Sequence, residues 1–377
     1  MAITRRQFAY GVLANLCSSD PLKSASDILE KSTSQGWFSS PDITAAVLDV
    51  CHGTKRFTKA YGTAGTPDRV FLIASISKPI VATGAMVLKD RGGFSLQDRV
   101  TRFLPEFHGD GREEVTVQNL LAHTAGLPDS IPQLKQLLER EAALNEFFAA
   151  SCRVPLLFKP GTAFSYSNLG VLLLKEIIER LTGEPLKQFL KANVFDVLAM
   201  NSTSLGLGRR SVESTAQNQP RTERLNPNTF YHRDLGEPWG GIHSTAADLT
   251  RLLQYFLNPS NLPIKSDTAR EMLRNHSNGL TQPWGIGWML AYSHDAYYRV
   301  RPTFARYGLS ALLLNPELGS AFGSNCSART FGHYGVSGTI AWADPQRDIS
   351  MVLLTTRFVR YSRDGVLGPV SDLVSRM

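Results

Sequence analysis

Ser75 and Lys78 stand three residues apart, between an apolar run, Val70-Phe71-Leu72-Ile73-Ala74, and a helix-like one from Pro79 to Leu88. Residues i and i+3 share a face of a helix, so a hydroxyl and an amine at this spacing can reach each other. That is a nucleophile and its possible base, and a serine hydroxyl needs one at neutral pH. The pair alone is commonplace and reads equally as a helix cap followed by a surface lysine. Two further groups change its weight. Tyr166-Ser167-Asn168 precedes an amphipathic run, where in isolation it would be an N-cap with a staple. His333-Tyr334-Gly335-Val336 lies on a β-like run that continues through Ser337-Gly338-Thr339 to Trp342-Ala343-Asp344-Pro345, where a lone histidine would be a packed residue. The three together, in this order and each beside an element able to fix it, are a far stronger signal of a nucleophilic site than any one alone.

The elements that must position them follow from periodicity. Ile43 to Val50 and Phe57 to Tyr61 are β-type runs split by Cys51-His52-Gly53-Thr54-Lys55, which predicts a hairpin leading toward Ser75. Ser95-Leu96-Gln97-Asp98 predicts a capping box ahead of a helix over Val100 to Phe107, and helical spacing recurs in Val115 to Ala122 and Leu134 to Ala150. Leu169, Leu172, Leu173, Ile177 and Leu181 fall on one side of a helix, and Pro185 to Phe195 follows as another. Leu205 to Trp239 is loop-rich and polar, and Thr245-Ala246-Ala247-Asp248 caps a helix through Leu257. Trp284 to Leu290, Ala311 to Leu314, Thr330 to Tyr334, Ser337 to Ala343 and Ile349 to Thr355 are β-like, with a closing helix over Leu367 to Val374.

Strands at both ends of the chain must share a sheet if the first two are to be covered. The expected organisation is therefore one domain over about residues 26–365, its α/β lobe formed by about 26–92 and 280–377. A mostly helical lobe, about 93–279, is inserted between, with the site in the cleft between lobes.

Composition narrows the function classes. The 377 residues are 42% hydrophobic, enough for a full core. Forty Lys and Arg against 33 Asp and Glu give a charge of +7, but the basic residues are scattered and form no stripe with interleaved aromatics. Nucleic acid is therefore not an expected partner. No apolar run approaches the ~20 residues of a membrane span. Cys17, Cys51, Cys152 and Cys326 have no paired metal-ligand spacing, and no His-Glu-x-x-His occurs, so neither a metal site nor a disulfide framework is expected. Thr4-Arg5-Arg6-Gln7-Phe8 followed by Ala9 to Leu16 is similar to a twin-arginine export signal, which makes residues 1–25 a candidate signal segment and the periplasm the expected location, with a cytoplasmic enzyme as the alternative.

Ser75-Ile76-Ser77-Lys78, Tyr166-Ser167-Asn168 and His333-Tyr334-Gly335 together resemble the serine β-lactamase-like superfamily: class C β-lactamases, D-alanyl-D-alanine carboxypeptidases, D-aminopeptidases and family VIII carboxylesterases. His123-Thr124-Ala125-Gly126-Leu127 and Trp239-Gly240-Gly241-Ile242-His243-Ser244-Thr245 with Asp248 extend the resemblance over roughly Ser26 to Arg360. It implies the β-lactamase/transpeptidase-like α+β fold, an antiparallel sheet flanked by helices. It also implies Ser75 as the acylated nucleophile and Lys78 with Tyr166 as a coupled general base; burial would disfavour the ammonium, and an adjacent cation would favour the phenolate. Asn168 would orient Lys78 and bind the acyl side, His333 and Gly335 would contact substrate, and the amides of Ser75 and Val336 would hold the oxyanion. Leu127, Phe164 and Trp239 are candidates for cleft walls or core. No metal or organic cofactor is implied.

The sequence departs from the class C pattern at the third motif. Where those enzymes resemble Lys-Thr-Gly, with a permanent positive charge for the drug carboxylate, this chain has His333 and the bulky Tyr334. The leading expectation is thus an esterase or peptidase-like hydrolase acting on a small uncharged ester, amide or peptide. A β-lactamase or D-Ala-D-Ala carboxypeptidase is the alternative, and a third is a penicillin-binding sensory module that acylates without turnover.

Overall fold

The computed structural model describes residues 20–34, 42–219, 226–277, 280, 283–291 and 322–377. The twin-arginine-like stretch and the strand expected at Ala311 to Leu314 lie outside the described residues.

Strands β1 (Ala45–His52) and β2 (Lys55–Gly62) form the expected hairpin, with His52 opposite Lys55 and Gly53 at φ 57° in the turn. Only a residue without a Cβ adopts that backbone readily. Short strands β3 (Phe71–Leu72), β4 (Ser204–Leu205) and β5 (Ile242–Ser244) make a small sheet of order β3-β5-β4. Strands β6 (Met289–Leu290), β7 (Phe331–Gly335), β8 (Thr339–Asp344) and β9 (Ile349–Thr355) complete the main antiparallel sheet, ordered β2-β1-β9-β8-β7-β6. First and last strands are thus neighbours, since β1 pairs with β9 along its length.

Both faces of this sheet are covered, so its central strands read as nearly continuous apolar runs. Alternation sorts them: Leu48, Val50, Met351 and Leu353 pack with Ala25, Leu29, Val370 and Val374, whereas Val47, Val352 and Leu354 pack with Leu252, Leu253 and the helical side. Helix α1 (Pro21–Thr33) therefore lies on one face. Helix α2 (Ser77–Asp90) runs through the interior of the other side, buried from Ser77 to Leu88. Around it stand α3 (Val117–Leu121), α4 (Leu134–Glu139), α5 (Leu144–Ser151), α6 (Asn168–Thr182) and α7 (Ala246–Leu257), and α8 (Gly368–Val374) closes the chain beside α1.

Several expectations change in detail. The helix expected over Val100 to Phe107 is a single tight turn, Val100–Arg102, because Val100 donates its amide to Val115 O and pairs with the next segment. The run from Leu134 to Ala150 divides into α4 and α5 at Arg140–Ala143. Leu181, placed with the buried side of its helix, is 39% exposed. Of Trp284 to Leu290 only Met289–Leu290 is strand, since Gly285 and Gly287 fold the stretch into a turn in which Gly285 donates to Trp288 O. Among the described residues no helix is long and apolar enough to cross a membrane.

Candidate active site

Ser75 sits in a tight turn, Ala74–Ile76, that feeds directly into α2. Ala74, just before it, has φ 48°, a left-handed backbone that a residue with a Cβ seldom adopts and that persists only when its surroundings enforce it. The enforcement is visible on both sides. Ile73 donates its amide to Ile242 O of β5 at 3.0 Å. Ser337 donates to Leu72 O at 2.7 Å and Thr339 to Ile73 O at 3.0 Å, from the hairpin that joins β7 to β8. Gly335 is at the point of contact, where a Cβ would fall 2.2 Å from Ile73 O and 2.1 Å from Thr339 Oγ1, so no other residue fits. Strand β7 therefore lies hard against the Ser75 turn, which brings Val336 beside Ser75. Neither Ser75 N nor Val336 N finds an acceptor among the described residues.

Lys78 lies one turn into α2, 2% exposed. Its Nζ donates to Ser75 Oγ at 3.1 Å and to Trp239 O at 2.9 Å, both uncharged acceptors. Burial therefore pulls its pKa down from 10.5 to about 7, against the opposing pull of the Asp129 and Glu237 carboxylates. Near neutral pH a substantial fraction is free amine.

Tyr166 borders the same space, its hydroxyl close enough to Ser75 to act on it and its ring 4.7 Å from Lys78 Nζ. Burial pushes its phenol upward, more strongly than the Ser75 hydrogen bond lowers it. The expectation that the adjacent cation would favour a phenolate is therefore reversed, because that neighbour is itself a largely desolvated, readily neutralised amine.

Asn168 opens α6 beside Tyr166. It is turned toward Asp129: Nδ2 donates to Asp129 Oδ1 at 2.9 Å, and the Asn168 amide to Asp129 O at 3.2 Å. No bond to Lys78 is made, contrary to the expected orienting role, and Asn168 Oδ1 is left buried without a partner. His333 is 2% exposed, its Nδ1–H donating to Tyr334 O at 2.7 Å and its Nε2 unpartnered. It packs 6.1 Å from the Tyr166 ring and 5.5 Å from Trp284, beside the reacting groups. Desolvation, with Lys78 nearby, lowers its pKa to about 3, so it is neutral at pH 7.

Other groups gave no signal in the sequence. Asp129 and Glu237 belong to no motif, yet both act on Lys78. His123, quoted only as part of a motif, has φ 58°, accepts the Ser167 amide at Nδ1 over 3.2 Å, and packs 4.7 Å from Tyr166 and 4.8 Å from Trp284. It thus holds the chain that carries Tyr166. Of the candidate walls, Leu127 and Phe164 are core, while Trp239 faces a small cleft it shares with Asp129 and Asn168. A larger groove of about 500 Å³ between α4 and α5 contains none of these residues. Among the described residues no group of three or more His, Cys, Asp or Glu is placed to hold a metal ion.

The family described as Beta-lactamase matches residues 40–373. The chain belongs to the beta-lactamase family. It is a hydrolase of that serine β-lactamase-like superfamily and shares its fold. It is 28% identical over 374 residues to esterase EstB of Burkholderia gladioli, covering 87% of this chain and 88% of that protein. Its structure is similar to EstCE1, described as a hydrolase with promiscuous acyltransferase activity, with a TM-score of 0.71 at 20% identity over 95% of this chain and 98% of the other. A D-amino acid amidase from Ochrobactrum anthropi SV3 is similar with a TM-score of 0.68 at 20% identity, covering 93% and 98%.

Proposed function

We propose that this hydrolase cleaves small carboxylic esters or amides through an acyl-enzyme on Ser75. The observation that carries the reading is the 3.1 Å contact between Ser75 Oγ and Lys78 Nζ, an amine that burial holds near pKa 7. Ser75 Oγ bonds to the substrate carbonyl carbon as its proton passes to neutral Lys78. The carbonyl oxygen takes up the electron pair and is held by the amides of Ser75 and Val336. As the tetrahedral intermediate collapses, the bond to the leaving group breaks and that group takes a proton from Lys78 through the Tyr166 hydroxyl. Tyr166 suits this relay because it stays protonated. Water then repeats the sequence on the acyl-enzyme and releases the acid.

Neutral, buried His333 offers no cation to a substrate carboxylate, which supports an ester or amide hydrolase over a β-lactamase or D-Ala-D-Ala carboxypeptidase. Intact-protein mass spectrometry alongside p-nitrophenyl ester turnover tests the reading on wild type and Ser75→Ala. The expected result is a transient acyl adduct and turnover, both lost in a folded Ser75→Ala variant. Turnover retained by the variant refutes the role of Ser75. A lasting adduct with no turnover refutes hydrolysis in favour of a sensory acceptor.

A further inference from the structure

Asn168 is tied to Asp129 twice: its backbone amide donates to Asp129 O at 3.2 Å and its Nδ2 to Asp129 Oδ1 at 2.9 Å. One residue back the same two segments are joined again, with Ser167 Oγ donating to Pro128 O at 2.7 Å. Bonds to the Pro128 and Asp129 carbonyls hold the start of α6 whatever side chain stands at 129. The side-chain bond does something else. A carboxylate oxygen accepts, so it captures the Nδ2 end of the carboxamide and turns Oδ1 away. That Oδ1 is buried with no partner, a condition that costs free energy.

A donor short of acceptors stands close by. Trp239, Asp129 and Asn168 wall one void of about 20 Å³, room for about one water, and the Trp239 carbonyl is the group that accepts from Lys78 Nζ at 2.9 Å. Lys78 has that carbonyl and Ser75 Oγ as acceptors, both uncharged, whereas an ammonium carries three N–H donors. Asn168 Oδ1, turned toward the amine, would complete the set and favour the charged form. The titratable groups around Lys78 are the Asp129 and Glu237 carboxyls, the Tyr166 phenol, His123 and His333, and burial lowers both histidines.

We propose that Asp129 is a positioning residue for the base: by gripping the Asn168 carboxamide it withholds Oδ1 from Lys78 and keeps the amine short of acceptors. The inference rests on the reading of Lys78 as the base and adds what keeps it one. Asp129 then acts on Lys78 in two opposed ways. Its charge favours the ammonium, and its grip on Asn168 disfavours it. Substitutions at 129 separate the two.

The test is the pH profile of kcat/KM for a p-nitrophenyl ester in wild type, Asp129→Asn, Asp129→Ala and Asn168→Ala, and in both Asp129 variants combined with Asn168→Ala, with folding checked by circular dichroism. Asp129→Asn removes the charge but leaves an amide oxygen to accept from Asn168 Nδ2, so its inflection is expected below that of wild type. Asp129→Ala removes the same charge and also frees the carboxamide. Its inflection is expected about one pH unit above that of Asp129→Asn, as a hydrogen bond to a charged group confers. In the Asn168→Ala background the two inflections are expected to coincide. Coincidence without Asn168→Ala, or a gap that survives it, overturns the inference while leaving the base reading standing. So does Asn168→Ala alone lowering the inflection by about a full unit, since Oδ1 would then already serve Lys78; that measurement holds even where Asp129→Ala does not fold. An inflection that persists unshifted in Lys78→Arg overturns the base reading itself.

Discussion

Two buried cations, Lys78 and Arg233, meet the same problem and resolve it oppositely. Lys78 is 2% exposed and Arg233 0%. Neither is paired with a carboxylate by direct contact. Arg233 spreads its charge over four acceptors, donating to Pro227 O at 2.9 Å, Ala216 O at 3.1 Å, Asn218 Oδ1 at 3.1 Å and Asn228 Oδ1. Lys78 has two. Burial lowers Arg233 to about 10, which leaves it charged at pH 7, and lowers Lys78 to about 7, which does not. A delocalised guanidinium keeps its proton and organises a loop; a compact amine yields it and becomes a base. The difference between framework and chemistry here is the choice of cation.

The largest test of that contrast is Lys78→Arg, which keeps charge and reach but removes the ability to be neutral. Loss of a general base costs about 10² to 10⁴ in kcat, so esterase turnover is expected to fall by roughly 10³ with KM changed far less. Turnover within tenfold of wild type would mean that Lys78 acts by charge alone. Next in size is Arg233→Met, which strips the donors from Pro227 O, Ala216 O and two asparagine side chains. Leaving such groups unsatisfied costs roughly 1 to 3 kcal/mol each at most, so stability is expected to drop by about 3 kcal/mol in denaturant unfolding. An unchanged midpoint would show that these acceptors find other partners.

The same contrast explains what the sequence discloses. The β1–β2 hairpin, α6 and the closing strands are legible because periodicity of two or 3.6 is a local property, and Ser75, Lys78 and Tyr166 because their spacing is tied to helix starts. Arg233 carries no local mark, since its partners Ala216 and Asn218 come from a separate part of a polar loop. Asp129 and Glu237 are equally silent: two isolated acids among 33, brought to Lys78 only by the packing of α4 and the loop before β5. The turn at Ser95 shows the reverse failure. Its local signal is met, with Ser95 N donating to Asp98 Oδ2 at 2.8 Å, but the helix it announces stops after Val100–Arg102 because Val115 supplies a competing acceptor.

The smallest effect to read is the pH dependence that sets the two cations apart. A protonated Lys78 cannot take the Ser75 proton, so kcat/KM is expected to fall about tenfold per unit below an inflection near pH 7 and to level off above it. Arg233, charged until about pH 10, contributes nothing in this range. The Glu237 carboxyl is raised by burial to about 7, so it titrates with Lys78 and the inflection belongs to the pair. The sign of their coupling can be read directly. An ionised Glu237 favours the ammonium and raises the Lys78 pKa, so Glu237→Gln removes that support and moves the inflection to lower pH, leaving more free amine at pH 6. A move toward higher pH would place the essential proton on Glu237, and an inflection that survives unshifted in Lys78→Arg would take the base role away from the lysine altogether.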